Sequence, residues 1–340
     1  MNVNASFKKN LSESLYLIRG VAIALVVIGH VIGYNRDYGM RQMYNSDLSF
    51  LGWLCDLINT FHMPIFFIAS GVAFAVFSNK NTTFKKFVIS KFEKLIIPLI
   101  CWAPIYLVFQ SLSKGKQFNL LDIIKATVFP YEIFWFIHAL IFATLLSFIC
   151  FKYFQSNLVY FSVSILLFIL GFGYWNLFYA FGVFIASYLD DIRLYLEKLP
   201  LNLIFFIFIG GITTMVLTKY FIAVSNIENS RIINGPIAFL SMYLITNSRE
   251  KILLPKQLEH LRLGVATSFV YLGAASMIIY LFHGYFTRGT ILLIAKFLGL
   301  PNPILYFIVV SFMGIVGPII LYKLLLSKSK IFMYSIGGAK

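Results

Sequence analysis

Ten apolar runs of membrane-spanning length follow one another along this chain, and little else in it is long enough to fold. They fall at about 15–34, 50–78, 95–113, 134–154, 157–174, 176–189, 201–222, 232–247, 266–286 and 303–326, judged against the roughly 20 residues that cross a bilayer as a helix. Backbone groups in lipid find no water to bond, so each run must close its own hydrogen bonds helically. Composition agrees, with 60% hydrophobic and only 12% charged residues among 340, far from soluble-protein averages. The expected fold is all-α: a polytopic integral membrane protein with about ten transmembrane helices in one bundle, forming a single domain over residues 1–340. The second run is long and the sixth short, so a kinked or partly re-entrant helix is expected at either.

The polar stretches between the runs, about 35–49, 114–133, 223–231 and 248–265, are too short to fold alone. Function must then reside in the helices and short loops. The first run is broken by Arg19 and followed by no small-residue cleavage site, so it is read as a retained helix rather than a signal peptide. Cys55, Cys101 and Cys150 fall inside apolar runs without metal-ligand spacing and read as packing residues. No metal site is expected.

A net charge of +15 could suggest a nucleic-acid partner, but its distribution argues otherwise. Alternate loops collect Lys8, Lys9, Lys80, Lys85, Lys86, Lys91, Lys94, Lys152, Arg193, Lys198, Arg249, Lys251, Lys256, Arg262, Lys323, Lys328 and Lys330. That is the positive-inside bias, which sets both termini in the cytoplasm. Anionic membrane lipids are the ordinary partner of such charge, and no nucleic acid is expected.

Arg19 and His30 stand inside the first run, LYLIRGVAIALVVIGHVIGYN. Eleven residues at 100° each return to the same helix face within about 20°, roughly 16 Å further along the axis. One stripe thus carries a permanent cation near one membrane surface and an imidazole deeper in. Intramembrane charges are costly and mark function by default. The pair suits a long anionic ligand whose reactive end lies at His30; singly, each residue could be a snorkelling or structural side chain.

The second run holds CDLINTFHMPIFFIASG. Asp56, Asn59 and His62 at i, i+3 and i+6 form a slowly turning polar stripe. Pro64 cannot donate to the Thr60 carbonyl, so a kink is expected there. Polar groups beside freed backbone read as a cavity wall, or as interhelical hydrogen bonding. Beyond this run, KNTTFKKFVISKFEKLIIP is the densest cationic cluster. Lys91 and Lys94, one helical turn apart at the mouth of the third span, could bind phosphates as point charges or merely anchor topology. In YEIFWFIHALIF, Glu132 and Trp135 sit at the outer edge of the fourth span with His138 one turn deeper, an arrangement that fits either a sugar site or an interfacial belt. His283, in MIIYLFHGYF, reads by itself as a satisfied structural histidine. There is no P-loop, Gly-rich dinucleotide turn, HExxH or paired-cysteine motif.

The stretch LYLIRGVAIALVVIGH resembles the opening of the membrane-bound acyltransferase-3 proteins, marked by an arginine, ten residues and a histidine. FHMPIFFIASGV resembles that family's second-helix motif, particularly in its sugar O-acetylase branch. KFEKLIIPLI lies where the family carries an arginine-x-x-arginine motif before a leucine-rich stretch and proline. FWFIHALIF and IIYLFHGYF resemble its later helices, so the likeness spans nearly the whole chain. Two departures stand out: lysines occupy the double-arginine positions, and these residues include no esterase-like domain of the kind some members carry.

The resemblance implies transfer of an acyl group, usually acetyl from acetyl-CoA, to a hydroxyl of a cell-envelope glycan such as O-antigen, capsule or a lipid-linked sugar. It implies a bacterial cytoplasmic membrane location and acetyl-CoA as substrate, with no bound cofactor. His30 is then expected as the general base and Arg19 as its partner on the donor. Lys91 and Lys94 would hold the nucleotide end, with Asn59 or His62 orienting groups. Glu132, Trp135 and His283 complete the acceptor-site candidates. The alternative is a polysaccharide exporter or flippase of the same fold without catalysis, which would not need the Arg19–His30 stripe. A small-molecule transporter is a third reading, without inverted repeats to support it.

Overall fold

The computed structural model describes residues 5–33, 39–44, 49–79, 82–222, 227–248, 256–297, 299 and 302–338. Every assigned element among them is helical. Lys80, Arg249 and Lys251 of the cationic loops lie outside the described residues. In chain order the α-helices are α1 (Ala5–Ile32), α2 (Met40–Met43), α3 (Ser49–Asn59), α4 (His62–Phe77), α5 (Phe84–Lys91), α6 (Ile97–Lys114), α7 (Leu120–Val128), α8 (Trp135–Phe154) and α9 (Asn157–Ile169). They continue as α10 (Tyr174–Ile185), α11 (Leu189–Lys198), α12 (Leu201–Ile222), α13 (Ile227–Ser248), α14 (Lys256–Ala274), α15 (Ser276–Phe297), α16 (Pro303–Leu324) and α17 (Lys330–Ser335). A π-helical turn, Phe92–Ile96, joins α5 to α6, and a 3-10 turn, Glu132–Phe134, precedes α8.

Seven helical stretches among the described residues are long and apolar enough to cross a membrane, and three shorter apolar helices accompany them. This is a polytopic all-α membrane protein. The expected ninth span, 266–286, is not one helix: α14 ends at Ala274 and α15 begins at Ser276. The small residues of this run, GAAS, keep it apolar across the join, so hydropathy alone does not register the break. The kink in the second span is a full interruption. Thr60 and Phe61 donate to Leu57 and Ile58 three residues back, and α4 restarts at His62 with Pro64 in its first turn, where proline's missing N–H costs nothing.

The chain divides into two compact units interleaved in sequence. The first, residues 1–78 and 147–276, packs α1 against α14, α4, α3 and α13, and α4 against α10. α4 is buried on nearly every side through His62–Ala69, as a helix apolar all round should be. α1 and α14 meet backbone to backbone: a Cβ at Gly20 would collide with the Phe269 carbonyl, and one at Gly273 with the Tyr16 carbonyl. Without a hydrophobic force between helices in lipid, such close van der Waals approach is what holds a pair together.

The second unit, residues 79–146 and 277–340, is built around α6. Trp102 Nε1 donates to the Ser335 carbonyl at 3.0 Å, and Tyr285 donates its hydroxyl proton to the Trp102 carbonyl at 2.9 Å. Arg288 Nε donates to Ser113 Oγ at 3.3 Å, and the Tyr280 hydroxyl to the Ile133 carbonyl. These bonds tie α15, α17 and the turn before α8 to one another and to α6.

Candidate active site

Arg19 and His30 lie on the unbroken α1, which preserves the shared stripe. Both are half-buried. Among the described residues Arg19 makes no hydrogen bond or ion pair; its electrostatic neighbours are the Tyr16 and Tyr179 side chains. An always-charged guanidinium with five donors, set in an apolar span without a protein anion, is suited to an anionic ligand.

The His30 end of α1 is seated against α3. Cys55 Sγ lies 3.6 Å from both the Gly29 and the Gly33 carbonyl oxygens, bracketing the His30 turn. Asn59 follows Cys55 by one turn of α3, at the helix end. Arg231 meets it there: Nε donates to the Asn59 carbonyl at 3.0 Å, and Nη2 to Asn59 Oδ1 at 2.8 Å. The negative end of the α3 dipole is a natural cation site. The same guanidinium lies over the Trp175 ring, 5.4 Å from its centroid, and Trp175 stacks on Phe67.

Other cations gather along α3. Arg41 pairs with Asp56 at 2.8 Å and also donates to the Gly52 carbonyl. Lys219 Nζ donates to the Trp53 carbonyl at 3.0 Å and lies over its ring. Past the break, Asn234 Nδ2 donates to Thr60 Oγ1 at 3.0 Å and Thr218 donates to Asn234 Oδ1. His62 is buried with Nδ1 2.8 Å from the Ile58 carbonyl. A carbonyl only accepts, so Nδ1 carries the proton.

Asp56, Asn59 and His62 therefore do not form one stripe on one helix. The interruption at Thr60–Phe61 rotates His62 onto α4, and each of the three has its own partner. Arg231, Trp175 and Asn234 were not among the candidates read from sequence. By hydropathy Arg231 falls in the polar stretch 223–231, because the apolar run begins after it, whereas α13 begins at Ile227. The available signal was a lone arginine three residues before an asparagine at the mouth of an apolar helix.

The remaining candidates belong to the second unit. Lys91 ends α5, half-buried, with Nζ 5.3 Å from the Phe87 centroid. Lys94 is exposed within the π-helical turn. The two are not simply one α-helical turn apart, because the wider winding of the π turn swings Lys94 round. Such turns are rare and recur at functional sites.

Glu132 opens the 3-10 turn with φ +42, a left-handed conformation uncommon for a glutamate. Its Oε1 accepts from Gln110 Nε2 at 3.0 Å, while Gln110 Oε1 accepts from the Tyr131 hydroxyl. Trp135 begins α8 next to it. His138 faces the Phe134 and Thr127 carbonyls at 3.1 and 3.2 Å. His283 is buried in α15 with Nδ1 2.8 Å from the Tyr280 carbonyl.

The family model Acyl_transf_3, described as an acyltransferase domain, matches residues 12–323. No curated protein and no solved structure matches the chain.

Proposed function

We propose, because this chain belongs to the acyltransferase-3 family and is a membrane acyltransferase, that it moves acetyl from cytoplasmic acetyl-CoA to a hydroxyl of a cell-envelope glycan. The observation that carries the reading is Arg19: a cation within α1, without hydrogen bond or ion pair among the described residues, three helical turns before His30. Coenzyme A is anionic at one end and acyl-bearing at the other, joined by an arm of comparable length to that separation.

With the N-terminus inside, Arg19 faces the cytoplasmic side and His30 lies further out. Arg19 binds donor phosphate or the pantetheine arm; Lys91 and Lys94 carry the nucleotide end only as the family resemblance implies. His30 removes the proton of the attacking sugar hydroxyl as its oxygen bonds to the thioester carbonyl carbon. The carbon–sulfur bond then breaks, and the imidazolium returns its proton to the departing thiolate. The products are the O-acetyl sugar and free coenzyme A. Asn59 or His62 orients His30 or stabilises the developing oxyanion, and Glu132, Trp135 and His283 remain acceptor-side candidates. The location is a bacterial cytoplasmic membrane with both termini inside, as the loop lysines suggest.

The test is mass spectrometry of surface glycans from cells with and without the gene. Loss of the mass increment of an acetyl group is the expected result. Unchanged acylation with diminished surface glycan would favour the exporter.

A further inference from the structure

Between α6 and α8 the second unit builds a cavity of about 530 Å³ that the acyl-transfer chemistry does not use. Its walls come from one local hairpin. α6 stops at Gly115, left-handed at φ 63, and Lys116 N closes back on the Ser111 carbonyl at 2.9 Å. α7 then starts with a capping box, Asn119 and Asp122 exchanging bonds of 3.0 Å, and ends at Phe129 before Pro130. The far side is pinned by Tyr131 on Gln110 and by His138 on the Thr127 carbonyl.

Lys116 and Lys125 line the cavity with Phe118, Phe129 and Tyr131, while Ser111, Gln117 and Asp122 supply further polar groups. Phe118 and Phe129 are 37% and 63% exposed, so their rings are open to a ligand rather than spent on packing. The volume falls within the roughly 300–1,000 Å³ of small-ligand sites. Ring faces offer stacking surfaces to the C–H faces of a pyranose, and two ammonium groups attract an anion. Asp122 on the same wall can accept bonds from sugar hydroxyls.

We infer that this cavity docks an acidic saccharide, a glycan segment bearing a uronate-type carboxylate, with Lys116 and Lys125 on the carboxylate and Phe118, Phe129 and Tyr131 against the rings. Its role as the acceptor's docking site rests on the acyl-transfer reading above; its binding chemistry does not.

The experiment uses the full chain in phosphatidylcholine nanodiscs, titrated with trigalacturonate and with neutral maltotriose. Wild type should bind trigalacturonate at least about tenfold more tightly than maltotriose, and K116Q/K125Q should lose about that factor, with K116R/K125R restoring it. Phe129→Ala should weaken both sugars. These side chains are exposed, so the variants should insert normally. No binding to wild type, equal binding of both sugars, or full binding by K116Q/K125Q overturns the site. Co-purifying phosphatidylglycerol that falls in K116Q/K125Q while saccharide binding does not would make the lysines headgroup anchors, and also overturns it. In transfer assays the double variant should raise the acceptor KM and leave the acetyl-CoA KM unchanged. Lysine-dependent binding without any acyl transfer would keep the docking site and sink the transferase reading; transfer with lysine-independent binding would do the reverse.

Discussion

Arg231 holds Asn59 by two groups at once, its Nε on the backbone carbonyl and its Nη2 on the side-chain oxygen, at 3.0 and 2.8 Å. The residue that ends α3 is thus fixed by a guanidinium from α13, a helix 172 positions further along. The Nε bond takes the place of the helical bond that the Asn59 carbonyl lacks at the break, one turn from the Cys55 contacts with the Gly29 and Gly33 carbonyls.

Removing that fork should be felt first in stability. Arg231→Ala leaves two half-buried acceptors without their donor, which costs about 1–3 kcal/mol. Arg231→Lys keeps charge but not the planar geometry and should fall between. Detergent-phase thermal unfolding followed by tryptophan fluorescence reads this, since Trp175 lies under the guanidinium. A melting temperature equal to wild type in Arg231→Ala would show that α3 is held otherwise.

For catalysis, His30→Ala should lower glycan acetylation by about 10²–10⁴-fold, the ordinary worth of a positioned base. Protein abundance and total surface glycan should stay unchanged. Normal O-acetyl content in a well-expressed variant would remove His30 from the mechanism.

Arg19 has no charge partner among the described residues, so its loss should not unfold the protein. We expect Arg19→Ala to be nearly inactive yet fully inserted, and Arg19→Lys intermediate because it lacks the fork. If Arg19→Ala instead disappears from the membrane, the residue is structural.

Lys91→Gln with Lys94→Gln should raise the KM for acetyl-CoA more than it lowers kcat, since donor phosphates are held alike in ground and transition states. Arginine at both positions should restore activity. Kinetically normal behaviour of the double glutamine variant would leave the lysines as topology anchors.

Gly20→Leu should abolish membrane accumulation, because the new side chain meets the Phe269 backbone where α1 and α14 touch. Gly210→Leu, on α12 with open space around it, is the matched control. Equal accumulation of the two would mean that α14 can move away from α1 at little cost.

What the sequence determined by itself follows from rules that act within one segment. Lipid forces each apolar run to be helical, so the helical class and most spans could be read from hydropathy. An eleven-residue offset fixes Arg19 and His30 on one stripe of any unbroken helix. Pro64 marks a place where a helical bond cannot form, so a bend near Thr60 is legible in the sequence. Tertiary structure decided what depends on a distant partner. What holds the ends at the break depends on distant partners: Arg231 donates to the Asn59 carbonyl and Asn234 to the Thr60 hydroxyl, each from more than 170 residues away. The join between α14 and α15 is equally silent in sequence, since small apolar residues allow a helix to continue or to stop. The residues of the Lys116 and Lys125 cavity are scattered through the end of α6 and the 114–133 stretch, because its walls meet only when α7 folds back on α6.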